Sequence, residues 1–144
     1  MGSILKKILI KKKQLNNIHI IINENIDKII KRKNIIYREF ETGIFFSSNF
    51  YQEYLFNISL KELHHDPLFF SPMTFSNSIQ NSIISSINKR FKFRGEAITL
   101  FNKYKMNKKE IRTILNGLKN KKIFFIELIK RKRNIYLYVR FFIN

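Results

Sequence analysis

Asn107-Lys108-Lys109-Glu110-Ile111-Arg112-Thr113-Ile114-Leu115-Asn116-Gly117-Leu118, followed by two β-rich runs at 123–129 and 135–143, is the stretch whose reading decides the fold. Ile111, Ile114, Leu115 and Leu118 recur at i, i+3, i+4 and i+7, so one face of a helix is apolar. Asn107 and Glu110 have the spacing of a cap and its reciprocal acid, and Asn120 stands where the helix should stop. Ile123 to Ile129 and Ile135 to Ile143 are separated by Lys130-Arg131-Lys132-Arg133-Asn134, which predicts a hairpin with a cationic tip. In the second run Ile135, Leu137, Val139, Phe141 and Ile143 alternate with Tyr136, Tyr138 and Arg140, the period of a strand with two unlike faces.

Working outward, the chain has 144 residues, room for one ordinary domain or one domain with a long extension. Hydrophobic residues make up 44%, enough to build a core. Against 28 Lys and Arg stand 10 acids, a net charge of +18. Such a surplus repels itself in a compact state and favours a polyanionic partner. Residues 1–40 and 89–144 carry nearly all the bases; 41–88 hold only Lys61 against four acids. Two basic blocks thus flank an aromatic, weakly acidic middle.

The N-terminal half predicts less regular order. Ile4 to Lys13 reads as a basic amphipathic arm or short helix, and Ile18 to Ile22 as a buried strand. Asn25 to Lys33 has Ile26, Ile29 and Ile30 at helical spacing, and Ile35 to Phe40 with Ile44 to Phe46 flank Glu41-Thr42-Gly43 as a hairpin. Phe50 to Leu63 fits helix or strand. Pro67 and Pro72 bracket an irregular segment, the best domain boundary. Ser76 to Asn88 reads as a helix, and Lys89 to Arg94 as a strand alternating bases with Phe91 and Phe93, rings that suit a core better than base stacking. The expected architecture is α+β: a helix-strand-helix-hairpin unit over 74–144, preceded by a mixed extension over 1–73.

With no cysteine, thiolate metal sites, disulfides and thiol nucleophiles are excluded. His64-His65-Asp66 lacks the three or four converging ligands of a metal site, and no metal or other cofactor is expected. Glycines at 2, 43, 95 and 117 are isolated, so no phosphate-cradling glycine loop exists. Nothing pairs a nucleophile with a base, and no catalytic residue is expected. No apolar run approaches the length of a membrane span.

The residues that suit phosphate are Lys89, Arg90, Lys92, Arg94, Lys108, Lys109, Arg112 and the tip Lys130, Arg131, Lys132 and Arg133. Lys11, Lys12, Lys13, Lys31, Arg32 and Lys33 form a second basic anchor. Tyr136 and Tyr138 are candidate stacking rings or a second packing surface. Ile, Lys, Asn, Phe and Tyr have A+T-rich codons, whereas Ala97 and Val139 are the only residues of their kinds, which points to an A+T-rich, organelle-type gene.

From Thr74 the order helix, basic strand, helix, strand, strand resembles the N-terminal half of the ribosomal small-subunit S-eight family. The matching parts are Ser76 to Asn88, Lys89 to Arg94, Lys108 to Lys119, Ile123 to Ile126 and Asn134 to Val139. That family's C-terminal half, with its Ser-Thr-Ser-x-Gly motif, has no counterpart here, and no binding residue transfers from it. The resemblance implies a structural constituent of an organellar ribosome, of the mitochondrial matrix and its small subunit, binding ribosomal RNA. Neighbouring ribosomal proteins would dock on residues 50–73, and a free homo-oligomer is not expected. The same tail also resembles a winged-helix unit, with Lys108 to Asn120 as recognition helix and 130–134 as wing, which implies DNA binding. A third expectation is an organelle-encoded accessory subunit of a respiratory or ATP-synthase complex.

Overall fold

The computed structural model describes residues 3–65, 82–101, 104–119 and 122–143. Five strands form one mixed sheet: β1 (Ser3–Ile10), β2 (Thr42–Ser48), β3 (Ala97–Phe101), β4 (Lys122–Arg131) and β5 (Asn134–Ile143), in the order β1-β5-β4-β2-β3. Among the described residues, four helices pack on it: α1 (Ile18–Arg32), α2 (Tyr51–His65), α3 (Ser82–Phe91) and α4 (Lys108–Gly117). The fold is α+β. β2, β3 and β4 run parallel, while β5 is antiparallel to both β4 and β1.

The central strands are those whose sequences never alternate. Ile123 to Ile129 is buried at every position because helices cover both faces of β4, and β2 is buried throughout for the same reason. On one face Ile44, Phe46, Phe124, Ile126, Leu128 and the aliphatic row of β5 meet Ile18, Ile22, Ile26 and Ile29 of α1 and Ile83, Ile84 and Ile87 of α3. On the other, Phe45, Ile123, Phe125 and Phe142 meet Ile111 and Leu115 of α4. Each fully buried Ile or Phe contributes roughly 1.5–3 kcal/mol by leaving water, so the two layers are held chiefly by this sandwiching.

Several expectations are corrected. Ile18 to Ile22 is not a strand; the isoleucines at 18, 22, 26 and 29 make one continuous helical stripe, and that longer period wins over the local β-branched run. Ile4 to Lys13 is an edge strand and then a 3-10 turn (Lys12–Asn17), since the free edge of β5 offers the backbone its hydrogen bonds. The hairpin about Glu41-Thr42-Gly43 does not form. A 3-10 turn (Glu39–Glu41) leads into β2, which pairs with β3 and β4, not with residues 35–40.

Lys89 to Arg94 is not a strand. Lys89 and Arg90 end α3, Lys92 takes a left-handed φ of 56°, and Phe91 and Phe93 both turn into the core, stacked at 5.4 Å. The helix expected from Ser76 is α3 from Ser82; residues 76–81, like Asp66 to Met73 and Asn120, lie outside the described residues. The boundary near residue 73 does not divide the sheet, because β2 lies between β3 and β4. For the same reason the β4–β5 hairpin is no free wing: β2 and β1 flank it. Of Phe50 to Leu63, which fits helix or strand in the sequence, all but Phe50 lies in helix α2. Tyr51 is buried and Phe50, Tyr54 and Leu55 pack beside it, which leaves Phe56 and Leu63 as its exposed apolar residues.

Candidate nucleic-acid interface

Because β2, β3 and β4 are parallel, their carboxyl ends share one edge, the edge where open sheets of this kind hold ligands. An open groove of about 440 Å³ lies there. Leu15 and Ile135 form its buried floor; Lys12, Lys130, Lys132 and Arg133 are exposed around it, with Phe50 and Tyr54 along one wall. Glu53 is the single acid among the described residues of the lining.

Local hydrogen bonds fix the backbone segments that carry these cations. Ser48 ends β2 and its Oγ accepts the amides of Phe50 and Tyr51, so the strand passes directly into α2. Asn49 Oδ1 accepts the Lys130 amide at 2.8 Å, and Asn49 Nδ2 donates to the Lys130 carbonyl at 3.0 Å. Gln14 Oε1 accepts the Lys11 amide at 2.7 Å, and Tyr54 donates its hydroxyl to Asn16 at 2.9 Å, tying the 3-10 turn to α2. Lys132 sits at the hairpin tip with φ 53°. The groove therefore gathers the tip and the Lys11–Lys13 turn, two basic runs more than a hundred residues apart in sequence.

The remaining sequence-predicted bases lie elsewhere. Lys89, Arg90, Lys92 and Arg94 are at the opposite, amino edge of the parallel strands, where the Arg94 amide donates to the Glu39 carbonyl at 2.7 Å and that of Gly95 to Thr42 at 3.0 Å. Lys31, Arg32 and Lys33, at the end of α1, share that edge; Ile36 close behind them accepts from Lys122 at the start of β4. Lys31 pairs with Asp27 at 2.8 Å and holds that carboxyl below its ordinary value. Lys108, Lys109 and Arg112 stand on the first turns of α4. All seventeen sequence-predicted bases, those of the tip and the Lys11–Lys13 turn included, are exposed. They form not one surface but two poles and a helix flank.

A further cluster joins Tyr136 and Tyr138, singled out in the sequence, to Lys7, Lys105 and Glu127, which the sequence reading did not connect with them. On the α4 side of the sheet, beside the helix, Lys105 Nζ lies 4.1 Å from the centre of the Tyr138 ring and Lys7 Nζ 4.6 Å from that of Tyr136. Glu127 is fully buried beneath them. Its Oε2 accepts the Met106 amide at 3.2 Å, and its Oε1 lies 3.5 Å from Arg140. Burial pushes the Glu127 carboxyl above its ordinary value, against the pull of Arg140 and the Met106 amide. Burial also lowers Lys105, helped by the nearby Arg140. The signal was a lone acid inside an apolar run, but finding Lys7 required knowing that residues 3–10 are a strand.

His64 and His65 are exposed at the end of α2, and no three His, Asp or Glu side chains converge among the described residues. No helix among those residues is long and apolar enough to cross a membrane.

No protein-family model matches the chain, and no curated protein does. Among solved structures, the fold is similar to that of a ketosynthase (ApeO) in complex with its chain length factor (ApeC) from Xenorhabdus doucetiae. The TM-score is 0.56 at 11% identity, over 81% of this chain and 53% of that one. The chain thus spans about half the length of the structure it matches, and at this identity the likeness is one of fold.

Proposed function

We propose that this protein is a non-catalytic RNA-binding protein, a structural constituent of an organellar ribosome that grips RNA phosphates through the carboxyl-edge groove. One observation carries the reading: Lys12, Lys130, Lys132 and Arg133 line a single open groove with one acid among them. Four cations so close repel one another unless an anion lies between them. A phosphodiester backbone supplies a run of negative charge, and the guanidinium of Arg133 can fork onto its oxygens. The exposed bases at the amino edge give a ribosomal RNA a second point of attachment. The organellar assignment rests on the A+T-rich codon character of the chain.

The test is binding of ribosomal RNA fragments by the whole protein across a salt series. Changing Lys12, Lys130, Lys132 and Arg133 together to Ala should lower the slope of log affinity against log salt by roughly 3, at about 0.7–0.9 for each phosphate no longer neutralised. An unchanged slope with the fold intact rules the groove out. Salt-independent binding rules out the phosphate reading altogether.

A second reading is favoured by the fold itself. The similar structure is a complex of two subunits, a ketosynthase with a chain length factor. By that analogy this chain is a subunit of a ketosynthase-like assembly, and its basic groove meets an acidic protein. The two readings separate by cofractionation: ribosomal particles for the first, a soluble protein complex free of RNA for the second.

A further inference from the structure

We infer that a single-stranded RNA segment crosses the β1–β5 side of the sheet face beside α4, its phosphates held by Lys7, Lys105 and Arg131 and a base resting on Leu9 and Tyr136. This deepens the RNA reading and rests on it, but the surface is separate from the groove.

The face is open among the described residues. α4 covers Phe45, Phe125 and Phe142, whereas Lys7 and Leu9 of β1 are exposed, Leu9 by 60%. Leu9 pairs in register with Tyr136, and Lys7 with Tyr138, so apolar surface and cation alternate along the edge strand. Three cations surround the one Tyr138 ring: Lys105 at 4.1 Å, Lys7 at 5.8 Å and Arg140 at 6.0 Å from its centre. Lys105 also feels the charge of Arg131. Four positive charges therefore crowd one patch, and Glu127, the acid beneath them, is already engaged by Arg140 and the Met106 amide. Ring faces offset part of this repulsion, but they cancel no charge. A phosphate does. A flat strand face with apolar side chains between bases suits a single strand, whose bases are free to lie on it, better than a duplex, whose bases are stacked inside.

The probe is a short oligouridine carrying one 4-thiouridine, bound to the whole protein over a salt series. Lys7→Ala with Lys105→Ala should lower the log-log salt slope by about 1.4, and Lys7→Arg with Lys105→Arg should restore it. Photocrosslinks should fall on the peptide that holds Tyr136. Lys105 is half-buried, so the exposed Lys7→Ala alone, expected to cost about 0.7 of slope, keeps the test valid if the double variant unfolds. An unchanged slope, with crosslinks confined to the groove residues Lys12, Lys130, Lys132 and Arg133, overturns the inference and leaves the groove reading standing. No binding of oligouridine or ribosomal RNA by the unaltered protein removes both.

Discussion

Asn49 and Lys130, 81 residues apart, exchange two hydrogen bonds, the amide side chain of one serving both backbone groups of the other. The pair imitates one rung of a strand ladder just where β2 has ended and β4 is about to turn. It fixes the base of the cationic hairpin against the start of α2. Asn49→Ala leaves both Lys130 groups to water, which reaches them, so the expected loss is only about 1 kcal/mol. Asn49→Asp keeps the acceptor, loses the donor and places a carboxylate at the base of the cationic hairpin. Thermal melts should show both variants folded, and RNA affinity should fall further for Asp than for Ala. Equal affinities would mean that the hairpin base does not bear on binding.

The two ends of α4 predict opposite effects. Asn107 Oδ1 accepts the Glu110 amide at 2.9 Å and Glu110 Oε2 accepts that of Asn107 at 2.7 Å, so Asn107→Ala should cost about 1 kcal/mol. At the other end Gly117 has no positive φ, and a Cβ added there meets nothing within 4 Å. Gly117→Ala should therefore stabilise the protein by about 0.4–1 kcal/mol, chiefly by restricting the unfolded chain. Urea titrations of the two variants measure both, and destabilisation by Gly117→Ala would count against the open geometry at that position.

Legibility in the sequence followed the range of the interactions. The α4 cap and the β4–β5 hairpin are made by residues close in sequence, and the pattern there states both. β1 and β2 are strands because of partners about 130 and 50–80 residues away respectively, and nothing local to Ile4 or Thr42 announces them. Ile18 to Ile22 shows the converse error, a short β-branched run whose true period emerges only when read on to Ile29. The cations were legible as residues but not as surfaces. Lys130 to Arg133 and Lys12 join across the sheet edge, while Lys89 to Arg94, adjacent in the linear reading, go to the far end.

Tyr51, the first residue of α2, is buried against Phe46 of β2, and burial, with the neighbouring Tyr54, pushes its hydroxyl up to about 12 from 10.0. A folded value above the unfolded one means stability that is complete below pH 10 and is lost as pH rises towards 12. The loss amounts to roughly 3 kcal/mol over that window, at 1.36 kcal/mol for each unit. Phenolate absorbance should show Tyr51 and, through its own burial, Tyr54 ionising late, and Tyr51→Phe should flatten the alkaline fall in stability. A full set of tyrosines titrating near the ordinary value would show that Tyr51 is not sealed.

Arg140 and Glu127 give the sharpest pH test. Their side chains are 12% and 0% exposed, so each charge depends on the other for what water no longer supplies. Arg140→Leu leaves the Glu127 carboxylate buried with the Met106 amide and the more distant Lys105. The expected loss at neutral pH is about 3 kcal/mol, within the range for breaking a buried pair. Glu127 is already raised in the folded state, so the native protein holds its proton more tightly than the unfolded chain, and removing Arg140 raises it further. The deficit should therefore shrink as pH falls from neutral towards the ordinary carboxylate value, because a protonated Glu127 carries no charge to bury. Adding Glu127→Leu should recover most of the loss at every pH, since an apolar pair replaces the ionic one without stranding either charge. Denaturant unfolding of the single and double variants across that range decides it: a deficit independent of pH would mean that Arg140 acts by packing over Tyr138 and not by balancing the buried acid.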